Sequence, residues 1–305
     1  MSLRDHLKDE EMKAELRQVI LPILSEDEAG GIEVVGTGFV ILANKRQAHF
    51  VTAGHVGSHI QRQDRPRPRA HLSTPSDFRA PEFRTELRRV QPFVIFCHPT
   101  RGHIRVPIEA WLDLKNADLA LCSIRFEDNV PSDVVFEKSL KLDSRPVTAG
   151  EPVSALGYTE GRARAIDVDK GLWRFEGMWR KVSGVVTDPM PELKIPGMTA
   201  ACFECDVGFD HGMSGGPVCS GGEGGEIVVR GVVSSEHTAS MIWQILLMPV
   251  RLPTPDGNIS GRTLLVLESE GILVDRGRGS DHLLVHRGND GQVLSANWVN
   301  YLEQF

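Results

Sequence analysis

Short runs of β-branched and apolar residues, each cut off by glycine, proline or a polar turn, recur along most of this chain and decide what it can fold into. Ile32 to Val35, Gly38 to Leu42 and His49 to Thr52 open the series. Phe93–Phe96, Ile104–Ile108, Leu119–Ile124, Pro152–Leu156, Lys181–Val186, Ala200–Cys205, Ile227–Val233 and Met241–Met248 continue it. Helical patterns do not alternate with these runs, which favours an all-β sandwich or barrel over a doubly wound sheet. The 30 Gly and 18 Pro are spread along the chain, as many turns require. Its 305 residues suit two domains or one large β unit. A chain this long buries roughly 75% of its unfolded surface and needs no metal or disulfide staple. Disorder, collagen and a long helical bundle are excluded.

The two ends read differently. Leu16, Val19, Ile20 and Ile23 fall on one helical stripe, so residues 1–28 are predicted as helix. Ser295 to Phe305 reads as a capped helix with Trp298, Tyr301, Leu302 and Phe305 on one face. Glu127 to Gly150 is the best linker between two β halves. A formal charge of −7 argues against a nucleic-acid binder. Eight Arg (62, 65, 67, 69, 79, 84, 88, 89) stand against four acids between Gln61 and Val90. The five cysteines, Cys97, Cys122, Cys202, Cys205 and Cys219, are odd in number and sit among apolar residues, the usage of reduced core thiols. There is no secretory leader pattern and no run near the ~18 apolar residues of a membrane span. The expected compartment is cytoplasmic, with no membrane partner.

Three segments carry chemistry: Val51-Thr52-Ala53-Gly54-His55-Val56, Asn116-Ala117-Asp118-Leu119-Ala120-Leu121 and Gly212-Met213-Ser214-Gly215-Gly216-Pro217. Singly, each has a structural reading: a hydrogen-bonded histidine, a strand-opening cap, a glycine turn. Together they hold what nucleophilic acyl transfer needs. A serine hydroxyl requires an imidazole base, and the imidazole requires a carboxylate to fix its tautomer. The flanking glycines permit a tight turn that leaves the Gly212 and Ser214 amides free to converge on an oxyanion.

These motifs resemble the chymotrypsin-fold serine proteases in their order His, Asp, Ser. Gly36-Thr37-Gly38-Phe39-Val40, Gly150-Glu151-Pro152-Val153 and Gly231-Val232-Val233-Ser234 extend the resemblance over residues 32 to 252. It implies an all-β fold of two packed antiparallel six-stranded β-barrels, here with short N- and C-terminal helices. The implied division is a helical extension over 1–29, a first barrel over 30–140, a second over 141–255 and a C-terminal extension over 256–305 ending in a helix. It implies a serine endopeptidase with His55, Asp118 and Ser214 as the triad, Gly212 and Ser214 as the oxyanion hole, and a protein or peptide substrate. It also puts Gly208, His211, Ser234, Ser235 and Glu236 around the primary specificity pocket, and in this family a serine at Ser234 often bonds the triad aspartate. No cofactor or metal is implied.

Departures sharpen the resemblance. Val56 follows His55 where secreted animal enzymes have cysteine. Met213 replaces the aspartate that pairs there with a newly cut N-terminus, so that route of zymogen activation is not available. The sequence is closer to bacterial trypsin-like peptidases, including the HtrA type, although too few residues follow Leu252 for a PDZ domain. The Arg-rich stretch 62–89 reads first as a solvated loop and the terminal helices as packed against the barrels; docking of a regulatory protein on either is the alternative reading, and it would supply another switch. A catalytically silent module on the same fold is the rival reading. An esterase is weaker: Gly212 to Gly216 fits G-x-S-x-G, but the glycines after Ser214 cannot start the helix that such an elbow requires. Cys202-Phe203-Glu204-Cys205 lacks the second ligand pair of a zinc site. His282-Leu283-Leu284-Val285-His286 reads as a short strand.

Overall fold

The computed structural model describes residues 12–26, 31–58, 92–114, 117–190, 201–221, 227–247, 249–253, 259–263, 281–287 and 293–300. The Arg-rich stretch 62–89 lies outside them, as do residues 1–11 and 301–305.

Strands β1 (Ile20–Glu26), β2 (Ile32–Asn44), β3 (Gln47–Ala53), β4 (Phe93–His98), β5 (Gly102–Leu114) and β6 (Leu119–Arg125) hydrogen-bond in the order β1-β4-β5-β6-β3-β2. The β1–β2 pairing closes that ring into a six-stranded antiparallel barrel. After β7 (Lys141–Leu142) come β8 (Pro152–Asp167), β9 (Leu172–Met190), β10 (Cys202–Cys205), β11 (Pro217–Gly221), β12 (Ile227–Val233) and β13 (Thr238–Met241). They run β8-β11-β12-β13-β10-β9 and close through β8–β9. Closure leaves no open sheet edge on either ring. Two antiparallel six-stranded barrels are therefore present, as the resemblance implies. A short 3-10 helix, Ile242–Leu247, follows β13. Two further hairpins pair β14 (Pro249–Pro253) with β15 (Ile259–Thr263), and β16 (Asp281–Arg287) with β17 (Val293–Asn300).

Each barrel has its own packed interior. Phe39, Phe50 and Phe93 are fully buried in a cluster that also spans the seam between the barrels. Phe203, Met213 and Val218 are fully buried in a second cluster. The barrels also share backbone pairing. The β8–β9 hairpin runs far beyond its own ring, and Glu33 of β2 pairs Arg162 of β8. His103 and Ile104 of β5 pair Trp173 and Leu172 of β9. Phe93 and Trp173 rings meet across this crossing at 5.0 Å.

Four expectations are corrected. Helix α1 covers residues 12–19 and the chain then enters β1. Pro22 inside the Val19–Leu24 apolar run is incompatible with a helix interior, and Ile20, Leu21, Ile23 and Leu24 are all fully buried, as a strand covered on both faces demands. The C-terminal segment forms β17 over Val293–Asn300 rather than a helix. It pairs antiparallel with β16, and the intervening Gly288, Asn289, Asp290 and Gly291 were the available hairpin signal. The predicted strand Met241–Met248 is instead the end of β13 and the 3-10 helix, where Gln244 Nε2 donates to the Ala201 and Met241 carbonyls at 2.6 and 3.0 Å. Glu127 to Gly150, read as linker, is packed: Val130, Val134, Phe136 and Leu142 are buried and Lys141–Leu142 adds a parallel strand to β12.

Candidate active site

β3 ends at Ala53 and turns at once into a single helical turn over residues 54–58 that carries His55. Gly54 is needed there because a Cβ would stand 3.0 Å from the Asp118 carbonyl carbon. Asp118 precedes β6 with φ of 47°, a left-handed conformation that aspartate tolerates better than most residues. Ser240 on β13 donates to the Ala117 carbonyl at 2.6 Å, so the second barrel grips the segment that presents Asp118.

The Asp118 carboxylate collects three donors. The His55 main-chain N–H reaches Oδ1 at 2.8 Å, and His55 Nδ1 lies 3.1 and 3.0 Å from Oδ1 and Oδ2. Ser234 Oγ donates to Oδ2. A carboxylate only accepts, so Nδ1 carries the proton and Nε2 presents its lone pair. The carboxylate side chain is 18% exposed and the imidazole 48%, so the acid is sheltered while the base stays accessible.

Ser214 is held through the main chain. Met213 is fully buried in the second barrel's core, where the animal enzymes use a buried ion pair. The next residue but one, Gly215, has φ of 86°, and a Cβ there would stand 2.1 Å from Thr52 Oγ1 and 2.2 Å from the Thr37 carbonyl. That contact lays the Ser214–Gly215 backbone against Thr52 and Ala53, immediately before His55. Thr37 fastens it: its N–H donates to the Ser214 carbonyl at 2.8 Å and its Oγ1 to the Gly212 carbonyl at 2.9 Å. Thr37 Oγ1 in turn accepts from the Tyr158 N–H at 3.0 Å, and Thr52 Oγ1 donates to the Thr37 carbonyl at 2.7 Å. Among the described residues the Met213, Gly215 and Gly216 amides each donate to a carbonyl, whereas the Gly212 and Ser214 amides donate to none.

The residues expected around the specificity pocket divide. Gly208 lies against Glu236 and His237, with a Cβ position 3.6 Å from His237 Cε1. The two walls are stitched together: the Phe209 N–H donates to the Glu236 carbonyl at 2.5 Å and the Cys205 N–H to the His237 carbonyl at 2.9 Å. The Glu236 side chain is 82% exposed. His211 and Ser235 are exposed. Ser234 is buried and turns its hydroxyl to Asp118, the bond that the resemblance implied. Thr37, Thr52 and Ser240, which carry much of the positioning, had no sequence signal beyond their place in or beside the motifs.

A sequence model described as a trypsin-like peptidase domain matches residues 36–229. The chain belongs to the trypsin-like peptidase family. As a serine protease of that family it acts on protein or peptide substrates. No curated protein matches it at the sequence level. Among solved structures, this trypsin-like peptidase is similar to Deg5, with 18% identity over 80% of this chain and 93% of that one and a TM-score of 0.49. It is also similar to the Rv3671c protease of M. tuberculosis in its active form, at 16% identity over 77% of this chain and 80% of that one, TM-score 0.43.

None of the five cysteines is in a disulfide. Burial pushes the Cys219 thiol up to about 12 and those of Cys97 and Cys205 to about 11, which makes them poor nucleophiles at neutral pH. Among the described residues no group of three His, Cys, Asp or Glu side chains gathers to hold a metal, and no helix is long and apolar enough to cross a membrane.

Proposed function

We propose that this serine protease is an endopeptidase working through an acyl-enzyme, with Ser214 as nucleophile, His55 as general base and Asp118 as its orienter. The reading rests on one convergence: the Asp118–His55 pair from the first barrel and the Ser214 turn from the second meet at the same end of β3. His55 Nε2 takes the Ser214 proton as Oγ adds to the substrate carbonyl carbon. The negative charge moves to the carbonyl oxygen, which the Gly212 and Ser214 amides receive. Each such donor lowers the barrier by about 2.7–4 kcal/mol. Protonated His55 then gives its proton to the leaving amine, and water, deprotonated by the same imidazole, releases the acid. Throughout, Asp118 stays ionised and holds Nδ1–H, while Ser234 and the His55 amide keep the carboxylate from being a bare buried charge.

The bonds joining Phe209 to Glu236 and Cys205 to His237 narrow the slot for the substrate side chain. They favour a resting enzyme whose walls part when a substrate or a protein partner engages. The exposed Glu236 carboxylate favours a basic side chain.

A fluorophosphonate tests the reading, because it reacts only with an activated serine. Labelling at Ser214, and loss of about 10⁶ in kcat in Ser214→Ala, are expected. Turnover retained in that variant sinks the assignment. No labelling of the wild type under any condition, with or without a partner, supports the silent-module alternative.

A further inference from the structure

Beside the apolar cluster that spans the seam, α1 and the outer face of the second barrel line an open cleft of about 720 Å³. Pockets that bury small organic ligands span roughly 300–1,000 Å³. Its charge is one-sided. Lys13 and Arg17 enter from α1, Arg180 and Lys181 from β9, and no carboxylate of the described residues lines it. Apolar surface lies between them, from Leu16 on the helix and Trp179 on the strand. Ser154 and Ser183, hydrogen-bonded to each other at 2.8 Å, add hydroxyls to the same wall. Cations crowded into a concave, partly desolvated space repel each other and concentrate anions from solution. Two of the four are guanidinium groups, whose flat forks suit phosphate, sulfonate or carboxylate.

One connection leads from this cavity to the catalytic turn. Arg180 Nε donates to Asp210 Oδ2 at 2.8 Å. The Asp210 carbonyl accepts the Met213 N–H at 3.1 Å, and Met213 directly precedes Ser214. An anion that takes Arg180 competes with Asp210 for the guanidinium and loosens one tether of the nucleophile's turn.

We propose that this cavity is an effector site for a small amphipathic anion, an aromatic or aliphatic body carrying one acidic group, and that its occupation reaches Ser214 through Arg180 and Asp210. Binding stands on the cavity alone; transmission rests on the peptidase reading.

The test separates the two. Anilinonaphthalene sulfonate, whose emission rises when it leaves water, is titrated into the full chain and into Ser214→Ala, beside uncharged phenylnaphthylamine. Saturable binding of one sulfonate per chain is expected in both proteins, with the neutral analogue weaker by about tenfold or more. Arg17→Gln combined with Lys181→Gln weakens the sulfonate by about the same factor, since an exposed charge at each position is removed. A urea melt of that variant, expected to match the wild type, keeps a folding defect from passing as lost binding. Equal affinity of the double variant or of the neutral analogue overturns the site. For transmission, the rate of fluorophosphonate labelling at Ser214 changes by about fivefold or more at saturation and stays constant in Arg180→Gln. An unchanged rate in the wild type overturns transmission, while binding without any labelling at Ser214 overturns the peptidase reading and leaves the site standing.

Discussion

The two barrels hold their halves of the site by different means. The first presents Asp118 and His55 through side-chain bonds: a carboxylate with three donors, one of them the imidazole it orients. The second presents Ser214 through its backbone, wedged against Thr37 and Thr52 and anchored by a buried methionine. Side-chain chemistry can be altered with the fold intact. A main-chain wedge cannot, because the atoms that position Ser214 are the ones that dock the barrels.

Substitutions on either side should expose that contrast. Asp118→Asn leaves the packing in place but no longer enforces the Nδ1–H tautomer, and kcat falls by about 10⁴. Thermal stability is expected to change little beside that loss; a variant that melts far below the wild type would blur the distinction. Gly215→Ala acts on the other side. Its methyl must displace Thr52 Oγ1 and the Thr37 carbonyl at a residue with positive φ. A displacement of about 1 Å costs about 10² in rate, and here the melting temperature should drop with it. Activity lost without any loss of stability would break the wedge argument. Ser234→Ala removes one of three donors to Asp118, so kcat/KM should fall by about tenfold, near the value of one hydrogen bond to a charged group.

A further effect concerns stability alone and lies in the first barrel. His49 on β3 is buried, its Nε2 meets no hydrogen-bond partner among the described residues, and burial lowers its pKa from 6.5 to about 4. The unfolded chain takes the proton first as pH falls. Stability is therefore complete above pH 6.5, declines between 6.5 and about 4, and levels off below. The full span is on the order of 3 kcal/mol. Urea midpoints across that window should show the slope, and His49→Leu should flatten it.

The local geometry of the His55 and Ser214 motifs was legible in the sequence: Gly54 beside His55 and the glycines beside Ser214 are demanded within a few residues of the side chain they serve. The rest depended on distant contacts. Ile20 and Ile23 fit a helical stripe, and only their burial against β2 and β4 makes them a strand. The outer part of the β8–β9 hairpin is rich in exposed Arg162, Arg164, Glu176 and Arg180, so no apolar run announced it. Ser234 lies well beyond Ser214 in sequence, and its bond to a carboxylate on the other barrel was legible only through the family resemblance. The bond between the Phe209 N–H and the Glu236 carbonyl likewise joins separate loops through the main chain, and residue type carries no trace of it.

That overlong hairpin has a mechanical consequence. By pairing its far end with β5 and touching β2, it makes each barrel part of the other's hydrogen-bonded network. Neither barrel can open fully while the other stays closed, so the pair is built to unfold as one cooperative unit. The His55–Asp118 pair and the Ser214 turn, which sit on different barrels, are thereby protected from the hinge motion that would separate them.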